Sequence, residues 1–128
     1  MSESLGATVL VVDDNALNLK LTRLLLTEAG FVVETASDAE EALVLLEAFT
    51  PRVILMDLQL PGLNGFELTA RVKKRFGPSI TVVALTAYAM KGDEQRALDA
   101  GCDGYVTKPI DTRRLAGEIH RLLGGHGG

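Results

Sequence analysis

The chain carries the run VILMD at residues 53–57, between Pro51 on one side and Pro61-Gly62 on the other. Its four apolar residues are too few for a helix and are typical of a parallel-sheet strand that is buried on both faces. Because such a strand cannot bury an ionised side chain, we expect Asp57 to lie where the strand emerges, at the carboxyl edge of the sheet. Open α/β folds place their ligand sites at that edge.

Strand-like and helix-like segments alternate along the rest of the chain. The sequence predicts strands at 8–12, 31–35, 53–57, 80–85 and 105–107, and helices at about 16–28, 39–49, 66–75, 92–100 and after Asp111. Asn15 is the expected N-cap of the first helix, and Ser37 with Glu40 predicts a capping box for the second. The apolar face of the first helix is marked at helical spacing by Leu17, Leu21, Leu24 and Leu25.

Five β-α units joined by short loops predict an α/β fold. The expected architecture is a flavodoxin-like, doubly wound, five-stranded parallel sheet in the order 2-1-3-4-5, with right-handed crossovers and helices on both faces. A length of 128 residues with 47% apolar composition suits a single domain over residues 1–128. We expect its core at about 8–123 and a flexible Gly-rich tail at 124–128.

The overall charge and the termini exclude several classes of function. A net charge of -4 and a pI near 5.1 leave no basic surface for direct DNA binding. The N-terminus lacks the pattern of a signal peptide, and no apolar run approaches the ~18 residues of a membrane span, so we expect a cytoplasmic protein without a membrane segment. The single cysteine, Cys102, cannot form an internal disulfide, which fits a reducing compartment.

Carboxylates end two strands that this order makes neighbours. Strand 1 ends at Asp13-Asp14 and strand 3 ends at Asp57, on either side of the switch point of the sheet. Two ionised carboxylates ~5 Å apart repel each other by roughly 3 kcal/mol at an effective dielectric constant near 20. Protons or a cation must relieve this repulsion, and ligation by oxygen alone suits a hard divalent ion such as Mg²⁺.

Two further strands deliver polar groups to the same edge. Strand 4 leads to Thr86, and strand 5 leads to Lys108. A carboxylate flanked by a metal ion, a hydroxyl and an ammonium has the groups needed to accept a phosphoryl group, because metal and ammonium offset the charge of the transferring oxygens. Asp57 is then the nucleophile, and the product is an acyl phosphate.

Three stretches resemble the receiver domain of two-component response regulators: VLVVDDN, ILMDLQLPGLNG and VVALTAYAMKGDEQRALDAGCDGYVTKPI. The resemblance covers about residues 8–123 and is greatest to stand-alone receivers of the cell-cycle type and receivers attached to hybrid sensor kinases. It implies a CheY-like fold in a bacterial phosphorelay. It also implies a sensor histidine kinase or histidine phosphotransferase as donor and a downstream protein as target, and it leaves a phosphorylation-dependent dimer open.

The resemblance implies a role for each residue of the edge. Asp57 would be the phosphoacceptor. Mg²⁺ would be held by Asp13, Asp14 and Asp57 together with the backbone carbonyl of Gln59. Thr86 and Tyr105 would form the switch pair, and Lys108 would bind the phosphoryl group. The protein would not be an enzyme beyond its own phosphorylation and dephosphorylation.

Other classes of function fit the sequence less well. A dinucleotide-binding domain needs a glycine-rich first turn, where this chain has Asp13-Asp14-Asn15. A phosphatase with an Asp nucleophile would need a general acid nearby, and the residue two positions beyond Asp57 is Gln59. The remaining alternative is a phosphorylation-independent scaffold or dimerisation module of the same fold, which would have no reason to retain every charged group of the site.

Overall fold

A computed structural model of the protein describes residues 8–57, 65–86 and 101–107, with single positions at 95, 98, 99, 117, 119 and 121. Gln59, Lys108 and the predicted tail at 124–128 lie outside the described residues. For Thr86 and Tyr105 the structure describes the backbone alone. Positions 95, 98 and 99 are helical, as are 117, 119 and 121, and they fall within the last two predicted helices.

The elements follow the predicted alternation. The strands are β1 (Thr8–Val12), β2 (Val32–Ala36), β3 (Val53–Asp57), β4 (Thr81–Thr86) and β5 (Gly104–Thr107). The helices are α1 (Ala16–Glu28), α2 (Ala39–Ala48) and α3 (Gly65–Phe76), and a short 3-10 turn follows at Gly77–Ser79. The predicted bounds of β1, α1 and β3 are confirmed, and β2 and β4 each begin one residue later than predicted.

The strands form one parallel sheet in the order β2-β1-β3-β4-β5, which confirms the predicted topology. β3 lies at the centre between β1 and β4, and all five of its residues are buried. In the register of the sheet Val12 lies opposite Met56, and Asp57 lies opposite Leu85. The carboxyl ends of β1, β3 and β4 therefore meet at one edge.

Alternate residues of the strands build a core on each face of the sheet. One core joins Leu10, Val12, Ile54 and Met56 to side chains of α2 and α3 such as Leu46, Leu68 and Val72. The other joins Val9, Val11, Val53 and Leu55 to Leu26 of α1 and to Ile119. Helices thus cover both faces, as the doubly wound fold requires.

Helix α1 turns its predicted apolar face largely toward solvent. Leu17 is 74% exposed, and Leu21 and Leu24 are exposed as well. The helix buries Thr22 and Leu26 instead. Leucine spacing identifies an apolar stripe but not the direction in which the stripe points. That direction depends on the rotation of the helix about its own axis, which is set by the Asn15 cap and the short link from β1. The Asn15 cap itself is confirmed, since its side chain accepts a hydrogen bond from the Asn18 N–H at 3.0 Å.

The cap of α2 lies one residue beyond the predicted one. The Asp38 side chain accepts a hydrogen bond from the Glu41 N–H at 2.7 Å, and the Ser37 hydroxyl bonds the Glu41 carboxylate at 3.0 Å. The predicted box of Ser37 with Glu40 is therefore wrong. The physical reason is that β2 continues to Ala36, which moves the start of the helix so that Asp38, as good a capping residue as Ser37, takes the cap position.

Candidate functional site

Three carboxylates converge at the carboxyl edge of the sheet. Asp13, Asp14 and Asp57 each offer an oxygen, and these oxygens all lie within 4.8 Å of one another. Asp13 is 1% exposed and Asp57 is 4% exposed, whereas Asp14 is open to solvent. We call these three residues the acidic cluster. It has two buried members and one exposed member, so a ligand can reach it from solvent on the side of Asp14.

The pairing of β1 with β3 creates this arrangement. Val12 lies opposite Met56, so the residues that follow, Asp13 and Asp57, emerge side by side from neighbouring strands. The Asp13 N–H donates to the carbonyl of Ala36 at 3.1 Å, which prolongs the pairing of β1 with β2 by one residue. The backbone therefore holds Asp13 firmly against the sheet before its side chain turns into the edge.

Asn15 orients the Asp13 side chain. The Asn15 N–H donates to Oδ1 of Asp13 at 2.9 Å, which is an Asx-turn contact across two residues. The same Asn15 caps α1, so one residue connects the start of the helix to the acidic cluster. The sequence predicts Asn15 only as a helix cap. The pattern of an Asp two residues before a helix cap is the signal that would have revealed its second role.

The donor set of the acidic cluster fits a small divalent cation. In octahedral Mg²⁺ coordination at about 2.1 Å, neighbouring ligand oxygens lie about 3 Å apart and opposite ones about 4.2 Å. Oxygens that already lie within 4.8 Å of one another need only small side-chain rotations to reach those separations. Carboxylate oxygen is also the ligand type that hard cations prefer. The predicted ligands Asp13, Asp14 and Asp57 are therefore compatible with the predicted Mg²⁺.

The strand ends of β4 and β5 point to the same edge. Asp57 lies opposite Leu85, so Thr86 follows one residue further along the neighbouring strand. Thr86 in turn lies opposite Thr107, the residue that precedes Lys108 in the sequence. Tyr105 lies opposite Ala84, two residues short of the edge. The backbone thus agrees with the predicted placement of Thr86 and Tyr105, and the roles of their side chains, of Gln59 and of Lys108 stay predictions.

An exposed apolar stripe begins beside the acidic cluster. Leu17 lies in the first turn of α1, directly after the Asp13-Asp14-Asn15 turn, and the stripe continues through Leu21 and Leu24. Their spacing in the sequence predicts an apolar face but not its exposure to solvent next to the acidic cluster. In the described part of the chain, no helix has the length and apolar composition that crossing a membrane requires.

Comparisons with known sequences agree with this geometry. A family model described as "Response regulator receiver domain" matches residues 9–120. The polar-differentiation response regulator DivK of Brucella anthropi is 42% identical over 118 residues, covering 91% of this chain and 96% of that protein. DivK of Brucella ovis has the same identity and coverage.

Solved structures show the same architecture. A CheY-like response regulator receiver domain protein from Methanospirillum hungatei superposes with a TM-score of 0.88 at 32% identity, covering 97% of this chain and 98% of that one. The chemotaxis protein CheY4 of Vibrio cholerae superposes with a TM-score of 0.86 at 30% identity, covering 91% of this chain and 98% of that one. The similarity therefore extends over nearly the whole chain in both comparisons.

Proposed function

This chain belongs to the response regulator receiver domain family, and on that premise we propose that it accepts a phosphoryl group on Asp57 within a two-component phosphorelay. The observation that carries the proposal is the convergence of the acidic cluster around the end of the central strand β3. The donor would be a sensor histidine kinase or a histidine phosphotransferase, and the output would be a protein that binds the phosphorylated form. The chain would catalyse only its own phosphorylation and dephosphorylation.

Asp57 is the nucleophile in this proposal. One of its carboxylate oxygens attacks phosphorus, an O–P bond forms while the P–N bond to the donor imidazole breaks, and the electron pair leaves with that nitrogen. The buried end of β3 holds the carboxylate in a fixed place and shields it from water on the side of the sheet. Such positioning lowers the entropic cost of reaching the transition state.

Asp13 and Asp14 would hold Mg²⁺ together with Asp57, and the backbone carbonyl of Gln59 would complete the set of protein ligands. When bound, the ion would offset the negative charge of the phosphoryl oxygens and the repulsion within the acidic cluster. Asn15 supports this role because its N–H donates to Oδ1 of Asp13 and so fixes the orientation of that carboxylate at the edge. Lys108, which follows β5, would supply a second positive charge to the phosphoryl group.

The switch would run through Thr86 and Tyr105. The register of β4 supports this, because Leu85 lies opposite Asp57 and Thr86 is the next residue. The Thr86 hydroxyl would donate to a phosphoryl oxygen and draw the following loop inward. Tyr105, on the neighbouring strand, would then rotate into the space that is vacated. A shift of population from 1:99 to 99:1 requires about 5.5 kcal/mol, which is more than a single hydrogen bond supplies, so we expect the active conformation to be partly populated before phosphorylation.

The exposed stripe of Leu17, Leu21 and Leu24 is the proposed docking surface for the phosphodonor. Any donor must bring a phosphohistidine to Asp57, and the first turn of α1 borders the route to that residue. An apolar helix face on the donor would bury the stripe while its histidine reaches the acidic cluster. Exposed apolar side chains grouped in this way are typical of a binding surface rather than of an ordinary helix face.

Substitution of the acceptor tests the proposed function. Asp57→Asn should lower labelling by acetyl phosphate to the background level, while Glu34→Gln, an exposed acid on β2, should label as the wild type does. Addition of excess EDTA should stop labelling of the wild type, and restored Mg²⁺ should return it. Undiminished labelling of the Asp57→Asn protein, or a wild type that is never labelled, would favour the alternative of a scaffold that works without phosphorylation.

A second pair of variants tests the docking surface separately from the chemistry. Leu17→Ser on α1 should slow phosphotransfer from a phosphorylated kinase about tenfold or more, and labelling by the small donor acetyl phosphate should not change. Val44→Ser is the matched control, because Val44 is 67% exposed on α2, away from the acidic cluster. Equal transfer rates for the two variants would show that the donor docks elsewhere.

A further inference from the structure

Three consecutive residues that lead into β5 pack against α3. Gly101 lies so close to Lys73 that a Cβ placed on it would meet Cγ of Lys73 at 3.0 Å. Sγ of the buried Cys102 lies 3.7 Å from Oγ1 of Thr69, one turn earlier on the same helix. Asp103 then receives the Lys73 ammonium at 2.5 Å. The segment 101–103 is thus held along two adjacent turns of α3.

Asp103 binds the adjacent strand through both its backbone and its side chain. The Asp103 N–H donates to the carbonyl of Val82 at 2.7 Å, and the Val82 N–H donates to Oδ2 of Asp103 at 2.9 Å. The Lys73 ammonium contacts that same oxygen and also donates to the carbonyl of Ile80 at 2.7 Å. Lys73 and Asp103 therefore join α3 to Ile80 and to Val82 of β4, next to the residues at which β5 begins to pair with β4.

The location of this contact matters because β5 is an edge strand. It is four residues long, and among the strands of the described residues it pairs with β4 alone. A short strand with a single neighbour has few hydrogen bonds to oppose a slip in register, and a slip of one residue would turn each side chain to the opposite face. A contact that fixes the first residue of β5 against β4 also fixes the residues at its other end.

We propose that Lys73 and Asp103 form a positioning pair that sets the register of β5 on β4, and with it the position of Thr107, the last residue of β5, which Lys108 follows in the sequence. This inference rests on the proposed function, because it assigns the pair a role in binding the phosphoryl group. Neither residue touches that group. The pair lies at the amino ends of β4 and β5, and its influence passes along β5 from Gly104 to Thr107.

Additional hydrogen bonds to the backbone distinguish this pair from an ordinary surface ion pair. The Lys73 side chain is 19% exposed and that of Asp103 is 41% exposed. Lys73 also donates to the carbonyl of Ile80, just before β4, and Asp103 also accepts from the N–H of Val82 in β4. The close approach of Gly101, with φ of +108°, shows that the chain is wrapped against the Lys73 stem. Because these contacts hold Lys73 and Asp103 in place, the two residues have little freedom to move apart unless β5 moves as well.

The test compares two ligands of the same edge. Beryllofluoride, a mimic of the phosphoryl group, would contact Lys108, whereas Mg²⁺ alone would bind the acidic cluster on β1 and β3. Lys73→Met, which keeps most of the stem but removes the ammonium, should weaken beryllofluoride binding in saturating Mg²⁺ about tenfold. Its dissociation constant for Mg²⁺ alone should stay within about twofold of the wild-type value. Lys74→Met, at an exposed position in the same turn, should change neither affinity.

Backbone amide exchange supplies the second readout. In the Lys73→Met protein the amides of β5 should exchange faster than in the wild type, with those of β1 and β3 unchanged, and Lys73→Arg should restore both exchange and beryllofluoride affinity. Loss of Mg²⁺ and beryllofluoride affinity together would indicate general unfolding and overturn the inference. The inference would also be overturned if the Lys73→Met protein bound beryllofluoride as tightly as the Lys74→Met protein does. A wild type that binds no beryllofluoride would instead overturn the proposed function itself.

Discussion

The two ends of the same sheet hold acidic side chains in opposite electrostatic settings. At the carboxyl end, Asp13, Asp14 and Asp57 bring their oxygens within 4.8 Å of one another. At the amino end, Asp103 contacts the Lys73 ammonium at 2.5 Å and the Val82 N–H at 2.9 Å. Like charges are gathered at one end, and opposite charges are matched at the other. The first arrangement favours binding of an external cation, and the second stabilises the fold.

The helices explain why the ends differ. The carboxyl ends of β1 and β3 lie at the switch point of the sheet, since α1, which follows β1, packs on one face and α3, which follows β3, packs on the other. The amino ends of β4 and β5 instead lie near the last turn of α3, which carries Lys73, Lys74 and Arg75. Cations in the last turn of a helix interact favourably with its dipole, so a basic side chain is available where Asp103 needs a partner.

Removal of Asp103 should have the largest effect on stability. Asp103→Ala leaves the partly buried Val82 N–H without its side-chain acceptor, which costs about 1–3 kcal/mol, and the half-exposed ion pair adds less than about 1 kcal/mol. We expect the free energy of unfolding in urea to fall by about 2 kcal/mol. Asp99→Ala, which breaks an exposed contact with Gln95, is the control and should change it by less than about 0.5 kcal/mol. Equal losses of unfolding free energy in the Asp103→Ala and Asp99→Ala proteins would show that the contacts of Asp103 do not stabilise the fold.

Addition of a cation should stabilise the opposite end. If Mg²⁺ binds the folded acidic cluster with a dissociation constant of about 1 mM, 10 mM Mg²⁺ raises the free energy of unfolding by about 1.4 kcal/mol. Asp14→Ala should remove most of this gain, because Asp14 is the exposed member of the cluster. Thermal melts with and without Mg²⁺ measure the effect. A gain that persists in the Asp14→Ala protein would place the binding site elsewhere.

Neutralising one member of the acidic cluster should also stabilise the protein when metal is absent. Asp57→Asn replaces a buried carboxylate by a neutral side chain of the same shape and removes repulsion from Asp13 and Asp14. We expect a gain of about 1 kcal/mol in EDTA, whereas Glu34→Gln at an exposed site should give almost none. A loss of stability on Asp57→Asn would mean that the negative charge of Asp57 is well compensated within the fold.

The smallest expected effect concerns Cys102, beside the Lys73–Asp103 pair. Burial raises the pKa of the Cys102 thiol above its ordinary value of 9.0, with the Asp103 charge adding to the rise and Thr69 and Lys73 opposing it. The folded state therefore retains this proton more strongly, so the associated stability is complete below pH 9.0 and is lost as the pH rises above it. At pH 9.5 the loss is at most about 0.8 kcal/mol.

Urea titrations between pH 8 and pH 10 would measure this dependence. Wild-type stability should fall more steeply than that of Cys102→Ala across this range, after allowance for the constant difference that the lost side chain causes. Parallel pH profiles for the two proteins would show that the Cys102 thiol does not cause the loss of stability at high pH. A steeper fall for the wild type would show that packing against α3 excludes water from the Cys102 thiol.

The sequence predicted those parts of the protein that depend on local pattern. The β-branched run at 8–12 identified β1 to the residue, and the apolar run at 53–57 identified β3, because fully buried strands need continuous apolar sequence. The strand order then followed from the alternation of elements and the handedness of crossovers. That order brought Asp13, Asp14 and Asp57 to one edge, so the acidic cluster was predictable without coordinates.

The orientation of a helix and the contacts between residues distant in sequence were visible only in the tertiary structure. The leucines of α1 were visible as a stripe, but only packing showed that Leu17 faces solvent and Leu26 faces the core. Lys73 and Asp103 are thirty residues apart, and neither stands out in a charged sequence. Periodicity reports which side chains share a face, whereas the rotation of a helix and the meeting of distant side chains follow from how the elements pack against one another.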